Sequence, residues 1–289
     1  MKGPRRSVAI SLFVALAVAG AFVVAIAGCS GSHDGSSKSA AESQAVLRSK
    51  DDGLKTLNVG SDPYPPFAYR DEYGDIVGLD VDILTEAFAR IGYKPTYHLI
   101  DWEKKKELLA SGELDCVMGS FSMTGREDEY RWAGPYLASR QVVAVNPESD
   151  ICTLADLENK VVAVQSTTKP ESILLNRTNK NVPQIKALCS FSERSYLNSA
   201  LIEGQVDAIA AHESLLLTYE KDYGVTYRIL SEPLLEVGLG TAFDINDTRG
   251  IDVKLTHVYQ EMLADGTMER LVSKYFDDPS PFLNMEGLS

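Results

Sequence analysis

An α/β fold with mostly parallel strands is what this sequence predicts, on three observations. From about residue 55 onwards, short apolar runs alternate with amphipathic stretches of helical period. Several runs, such as 161–165, are continuously apolar, as strands buried on both faces of a sheet must be. The turns that follow them are rich in Ser, Thr and Gly, which suits the mouths of strand-to-helix connections.

The elements follow in order. Lys2, Arg5 and Arg6 precede an uncharged apolar run over 8–27, the layout of a secretory signal; its length would also allow an uncleaved membrane anchor. The run ends in Ile26-Ala27-Gly28-Cys29, and residues 30–50 are Ser, Gly, Ala, Asp and Lys with almost nothing to bury, which reads as a tether. Leu57-Asn58-Val59 starts the first strand. Residues 80–91 set Val81, Leu84, Phe88 and Ile91 on one helical face, with Gly92 as the stop. A short charged helix over 103–110 places Lys104, Lys105 and Lys106 on its outer face, and 116–118 is the next strand. Strands follow at 141–145, 161–165, 206–210 and 237–243, with helices at 171–176, 194–203 and 213–220. The C-terminal helix aligns Ile251, Leu255, Val258, Tyr259, Met262 and Leu263, and Gly266 separates it from a last helix over 267–276.

Composition bounds the function. A chain of 289 residues with 44% hydrophobic content can bury the cores of two modest domains. Its net charge of −13 argues against a nucleic-acid partner. Removing the signal with Lys2, Arg5 and Arg6 takes that charge to −16. Four Cys without a paired Cys-x-x-Cys exclude a zinc scaffold. Of Cys116, Cys152 and Cys189, the first reads as a small core residue, and a bridge between the other two is left open by their spacing.

Ligands of open α/β sheets bind beyond the carboxyl ends of the strands. The segments there are 60–67, 119–126, 165–169 and 211–213. Hydroxyls, backbone N–H groups and Arg126 together suit a small anion, a carboxylate held by a guanidinium and a helix N-terminus.

Several segments in order carry a family resemblance: Gly60-Ser61-Asp62-Pro63-Tyr64-Pro65-Pro66-Phe67, Val77-Gly78-Leu79-Asp80-Val81-Asp82, Gly112-Glu113-Leu114-Asp115, Ser122-Met123-Thr124 with Arg126, Gly134-Pro135-Tyr136, Ala155-Asp156-Leu157 and Ala264-Asp265-Gly266-Thr267. From about Lys55 to about Phe276 the chain resembles the type II periplasmic solute-binding proteins of the amino-acid ABC importer group, the bacterial extracellular solute-binding proteins of family 3. The end of the apolar run likewise resembles a bacterial lipobox, which implies lipidation of Cys29. The resemblance implies two α/β lobes joined by crossover strands near 141–145 and 237–243. The expected organisation is a signal peptide over 1–28, a lipidated linker over 29–54, lobe 1 over 55–144, lobe 2 over 145–236, and a return to lobe 1 over 237–289. The expected protein is a monomer on the outer face of the cytoplasmic membrane, capturing an amino acid or related small carboxylate for a permease.

By the same resemblance Arg126 takes the ligand carboxylate, aided by Ser120, Ser122, Thr167 and Thr168. Tyr64 or Phe67, with Trp102, covers its apolar part, and Asp62 and Gln165 read its side chain. His212 stands where the family usually places an Asp for the ligand ammonium. Either Glu213 or another acid then replaces that Asp, or the ligand has no free α-amino group. Two other readings use the same fold: an enzyme resembling cyclohexadienyl dehydratases or lytic transglycosylases, with His212 and Glu213 as an acid/base pair, or a sensing subunit for a separate receptor. With no nucleophile motif, metal cluster or phosphate loop in the sequence, no enzyme, metal or cofactor is expected.

Overall fold

Strands covered on both faces must be apolar along their whole length, as 116–118 and 161–164 are in this computed structural model, which describes residues 54–286 and 288. The signal peptide, Cys29 and nearly all of the linker lie outside the described residues. In chain order the strands are β1 (Lys55–Ser61), β2 (Tyr69–Arg70), β3 (Ile76–Val77), β4 (Tyr93–Leu99), β5 (Cys116–Met118), β6 (Arg131–Val145), β7 (Val161–Gln165), β8 (Ala187–Phe191), β9 (Ala208–His212), β10 (Arg228–Ile229) and β11 (Leu235–Phe243). The helices are α1 (Leu79–Arg90), α2 (Lys105–Ser111), α3 (Lys169–Asn176), α4 (Tyr196–Ile202), α5 (Glu213–Tyr223), α6 (Ile251–Ala264), α7 (Thr267–Val272) and α8 (Ser280–Leu283).

The architecture is a mostly parallel sheet with flanking helices, crossed at its centre by two long strands. Strand order is β4-β1-β5-β11-β6-β9-β7-β8, with β10 beside β6. β1 runs parallel to β4 and β5, and β7 runs parallel to β8 and β9. Between these parallel groups lie β6 and β11, antiparallel to each other from Gln141↔Leu235 to Arg131↔Phe243. The far half of β6 pairs with β9, from Gln141↔His212 to Val145↔Ala208. One long strand thus carries the chain from one parallel group to the other, and β11 brings it back.

Two of the strands that the sequence reading passes over are the sheet edges. β4 alternates half-buried Tyr93, Pro95 and Tyr97 with exposed Lys94, Thr96 and His98, and an edge tolerates a proline that an interior ladder would not. β8 is half-exposed for the same reason. β6 begins ten residues before the expected 141 because Gly134, Pro135 and Arg140 look like a loop, whereas 131–133 and 137–141 pair with β11 on either side of a register shift at Gly134 and Pro135. β9 is displaced two residues from 206–210 and ends at His212, so this residue closes a strand and precedes α5 directly.

Packing follows the expected faces. Ile83, Leu84, Ala87 and Phe88 of α1 join Leu255, Val258, Tyr259 and Met262 of α6 in the main core. Val143, Val145, Val162, Val164 and Ala210 pack a second core against Ile173 and Leu174. Cys116 is fully buried, and the three described cysteines are free thiols.

Candidate functional site

The loops after β4, β5, β7 and β8 and the end of β9 converge at one place, as parallel strands require. The β5 loop is fixed first. Ser120 has φ 52, a left-handed conformation, and its N–H donates to Asp80 Oδ2 at 2.8 Å from the first turn of α1. Tyr136 donates its hydroxyl to the other oxygen at 2.9 Å. Burial pushes the Asp80 carboxyl up to about 6, against the pull of these two donors. Asp80 therefore anchors the loop that carries Ser120, Phe121, Ser122 and Arg126.

Arg126 is buried, with its guanidinium 5.3 Å from the Phe121 ring centre. Its Nη2 donates to the Thr167 carbonyl at 3.1 Å, and Trp132 Nε1 donates to the Arg126 carbonyl at 2.9 Å. Trp102 meets Phe121 edge to face at 4.9 Å, giving the cavity an aromatic wall. Thr168 lines the cavity, its hydroxyl donating to the Gln165 carbonyl at 2.6 Å. Thr167 does not line it; with φ 59 it turns its Oγ1 outward to accept from Lys105 Nζ at 2.8 Å.

Lys105 corrects the reading of Lys104 to Lys106 as an outer face. Its side chain is buried, Nζ also donates to the Trp102 carbonyl at 3.0 Å, and it lies 4.8 Å over the Trp102 ring. A short turn over Trp102–Lys104 precedes α2 and rotates Lys105 inward. Desolvation first, and then the charge of Arg126, lowers its pKa to about 7.

Asp62 is committed to protein partners. It accepts from Gln165 Nε2 at 2.7 Å and Arg194 Nη2 at 2.8 Å. The Arg194 guanidinium lies 3.6 Å over the Tyr64 ring, whose hydroxyl pairs with Ser214 Oγ at 3.2 Å. Tyr64 thus supports Arg194 from beneath. Phe67 is a core residue between Tyr64 and Phe276, 4.9 and 6.0 Å away, and is not brought to the cavity.

His212 sits among neutral partners. The Gln141 amide lies 2.8 Å from its Nε2 and Ser139 Oγ 2.8 Å from its Nδ1, so each ring nitrogen has a partner in the protein. Ser122 Oγ is 3.4 Å from Nε2. Desolvation, then the charge of Arg194 and, less, of Arg126, lowers its pKa to about 3, so the ring is neutral at physiological pH. Glu213 does not stand in for an acid here, because Arg140 Nη1 holds both its oxygens at 3.0 and 3.2 Å.

The cavity therefore brings together Trp102, Ser120, Ser122, Arg126, Gln165, Thr168 and His212 of the residues singled out from sequence. It adds Phe121, Gln141, Lys169, Arg194 and Leu215. Arg194 follows β8, so inspecting strand ends would have found it had that edge strand been legible. Gln141 lies inside the crossover strand β6, where no loop signal exists. Among the described residues no group of His, Cys, Asp and Glu could hold a metal.

The sequence model of the bacterial extracellular solute-binding proteins, family 3, matches residues 57–278. The histidine-binding periplasmic protein of Salmonella typhimurium is 29% identical over 235 residues, 76% of this chain and 87% of that protein. The L-cystine-binding protein TcyA of Bacillus subtilis is 27% identical over 274 residues, 93% of this chain and 97% of that one. A solved structure described as Tv2483 bound to L-arginine superposes with a TM-score of 0.69 at 30% identity, covering 77% of this chain and 91% of that one.

Proposed function

The chain belongs to the bacterial extracellular solute-binding proteins, family 3, and on that premise we propose that it captures an amino acid or related small polar carboxylate and presents it to an ABC importer. It is a binding protein and not an enzyme, as are the curated relatives it matches. The observation that carries the proposal is Arg126, buried between an aromatic wall on one side and the backbone of Thr167 on the other. Such a guanidinium has donors to spare for a carboxylate and a surrounding from which water is excluded.

Closure of lobe 1 on lobe 2 about β6 and β11 would assemble this site. The Arg126–Thr167, Lys105–Thr167 and Asp62–Arg194 contacts all join segments before β6 to segments after it. A permease would read that closed shape. We assign residues 55–144 and 237–289 to lobe 1 and 145–236 to lobe 2, and we place a lipid on Cys29 that holds the monomer on the outer face of the cytoplasmic membrane. Cys29→Ser should release the protein from the membrane fraction.

Thermal denaturation of the full chain in detergent against a panel of small acids tests the capture role. A ligand at 100 times its Kd adds about 2.7 kcal/mol of stability, a rise in Tm of about 5–10 °C for a body of this size. No response to any acid would refute the proposal.

A further inference from the structure

Resting on that capture role, we propose that the ligand is a carboxylate whose second polar group is an uncharged hydrogen-bond donor, with 2-hydroxy acids as the simplest members, rather than an amino acid with a free ammonium. The charges around the cavity lead there. Arg126, Lys169 and Arg194 line it, and among the described residues no Asp or Glu does. An ammonium entering this space would meet cations with no anion to offset them.

The nearby acids are each committed elsewhere. Asp62 is held by Arg194 and Gln165, Asp80 by the Ser120 N–H and the Tyr136 hydroxyl, and Glu213 by Arg140. The remaining polar surface is neutral: Ser120, Ser122, Gln141 and His212. Because the Gln141 amide meets one ring nitrogen and Ser139 the other, the imidazole has no lone pair left for an ammonium.

A second observation shows what this surface lacks. Arg194 Nε is buried, lines the cavity and has no hydrogen-bond partner among the described residues. Buried polar atoms in native proteins are paired almost without exception, so this N–H is matched to a ligand. Arg194 Nε calls for an acceptor, as a carboxylate or hydroxyl supplies. Any donor the ligand places beside two guanidiniums costs far less as a neutral O–H or amide N–H than as an ammonium. Leu197, Leu215, Trp102 and Phe121 enclose the ligand's apolar part.

The test is calorimetric titration of the full chain in detergent at pH 7 with matched acids that differ only at C2. Suitable pairs are phenylalanine and phenyllactate, glutamate and 2-hydroxyglutarate, and leucine and 2-hydroxyisocaproate. At least one hydroxy acid should bind about tenfold or more tightly than its amino partner. His212→Asp, which restores an acid beside the cavity, should invert that preference. Amino acids binding the unaltered protein as well as their hydroxy partners would overturn the inference while leaving the capture role intact. Binding of neither series would overturn both. The comparison on the unaltered protein decides the matter even if the variant fails to fold.

Discussion

Replacing His212 by Gln should change how the protein responds to acid, and the size of the change follows from the environment of the ring. The folded-state pKa of His212 is about 3, against 6.5 for a free histidine, chiefly through burial and then through Arg194 and Arg126. A base whose pKa is lowered by folding binds fewer protons folded than unfolded between those values. Its contribution to stability is therefore complete above pH 6.5 and is lost as pH falls towards 3. Between pH 6.5 and 4 this linkage amounts to a loss of about 3 kcal/mol. Asp80 acts with the opposite sign. Its carboxyl is raised from 3.8 to about 6, so the folded state binds the extra proton, and over the same interval it adds about 2 kcal/mol. The two largely offset each other in the unaltered protein. Urea unfolding at pH 6.5 and pH 4 should show His212→Gln losing about 3 kcal/mol less across the interval than the parent, and Asp80→Asn losing about 2 kcal/mol more. Equal acid losses in His212→Gln and the parent would mean that His212 titrates normally, and the neutral imidazole in the cavity wall would have to be abandoned.

Arg126→Ala should lower affinity about 10-fold to 100-fold through loss of one charge-assisted contact, cutting the stabilisation by a ligand at 100 times the parent's Kd from about 2.7 to about 1.4 kcal/mol or less, while urea unfolding without ligand stays close to the parent. Lys105→Met removes a buried cation whose pKa is lowered to about 7. The parent should gain about 2 kcal/mol from pH 7 to pH 9 through this group as its folded-state neutral form becomes matched in the unfolded chain, and the variant should lack that gain in the same denaturation assay. Gly78 has φ 135, and a Cβ there would lie 2.3 Å from the Phe67 carbonyl oxygen. That carbonyl and its neighbour at Pro66 accept the first N–H groups of α1, so Gly78→Ala should cost more than about 2 kcal/mol in unfolding free energy.

The interior of the fold was legible in the sequence because burial on both faces leaves no choice of residue. β5 and β7 are apolar at every position up to the Gln165 that enters the cleft, and their bounds match the expectation. β4 and β8 were not legible, because an edge needs only one ladder and may carry Lys94, Pro95 and Ser190. The missed edge had a cost at the site: Arg194, which holds Asp62 and covers Tyr64, hangs from the end of β8. Lys105 was misread for a related reason, since a charged residue on a short helix is expected in solvent until a hydroxyl and a carbonyl from other segments are seen to receive it. Arg126, Ser120, Ser122 and Thr168 were legible as strand-end residues, and the structure brings them to one cavity.

The charge of the whole chain and the charge of its cleft have opposite signs, and the difference matters for what each one selects. The net charge of −13 is spread over the chain, whereas Arg126, Lys169 and Arg194 are gathered around one cavity without an acid among its walls. At physiological salt a surface charge is screened within about 8 Å, so the acidic exterior does little to a small anion until contact. An anionic polymer is different, because it must lie along that exterior and meet many acids at once. Inside the cleft screening fails and the dielectric falls, so three cations there outweigh many more acids outside. Overall composition thus argues against nucleic acid and is silent about small carboxylates. What decides the ligand is the few groups that remain unpaired after the lobes have met.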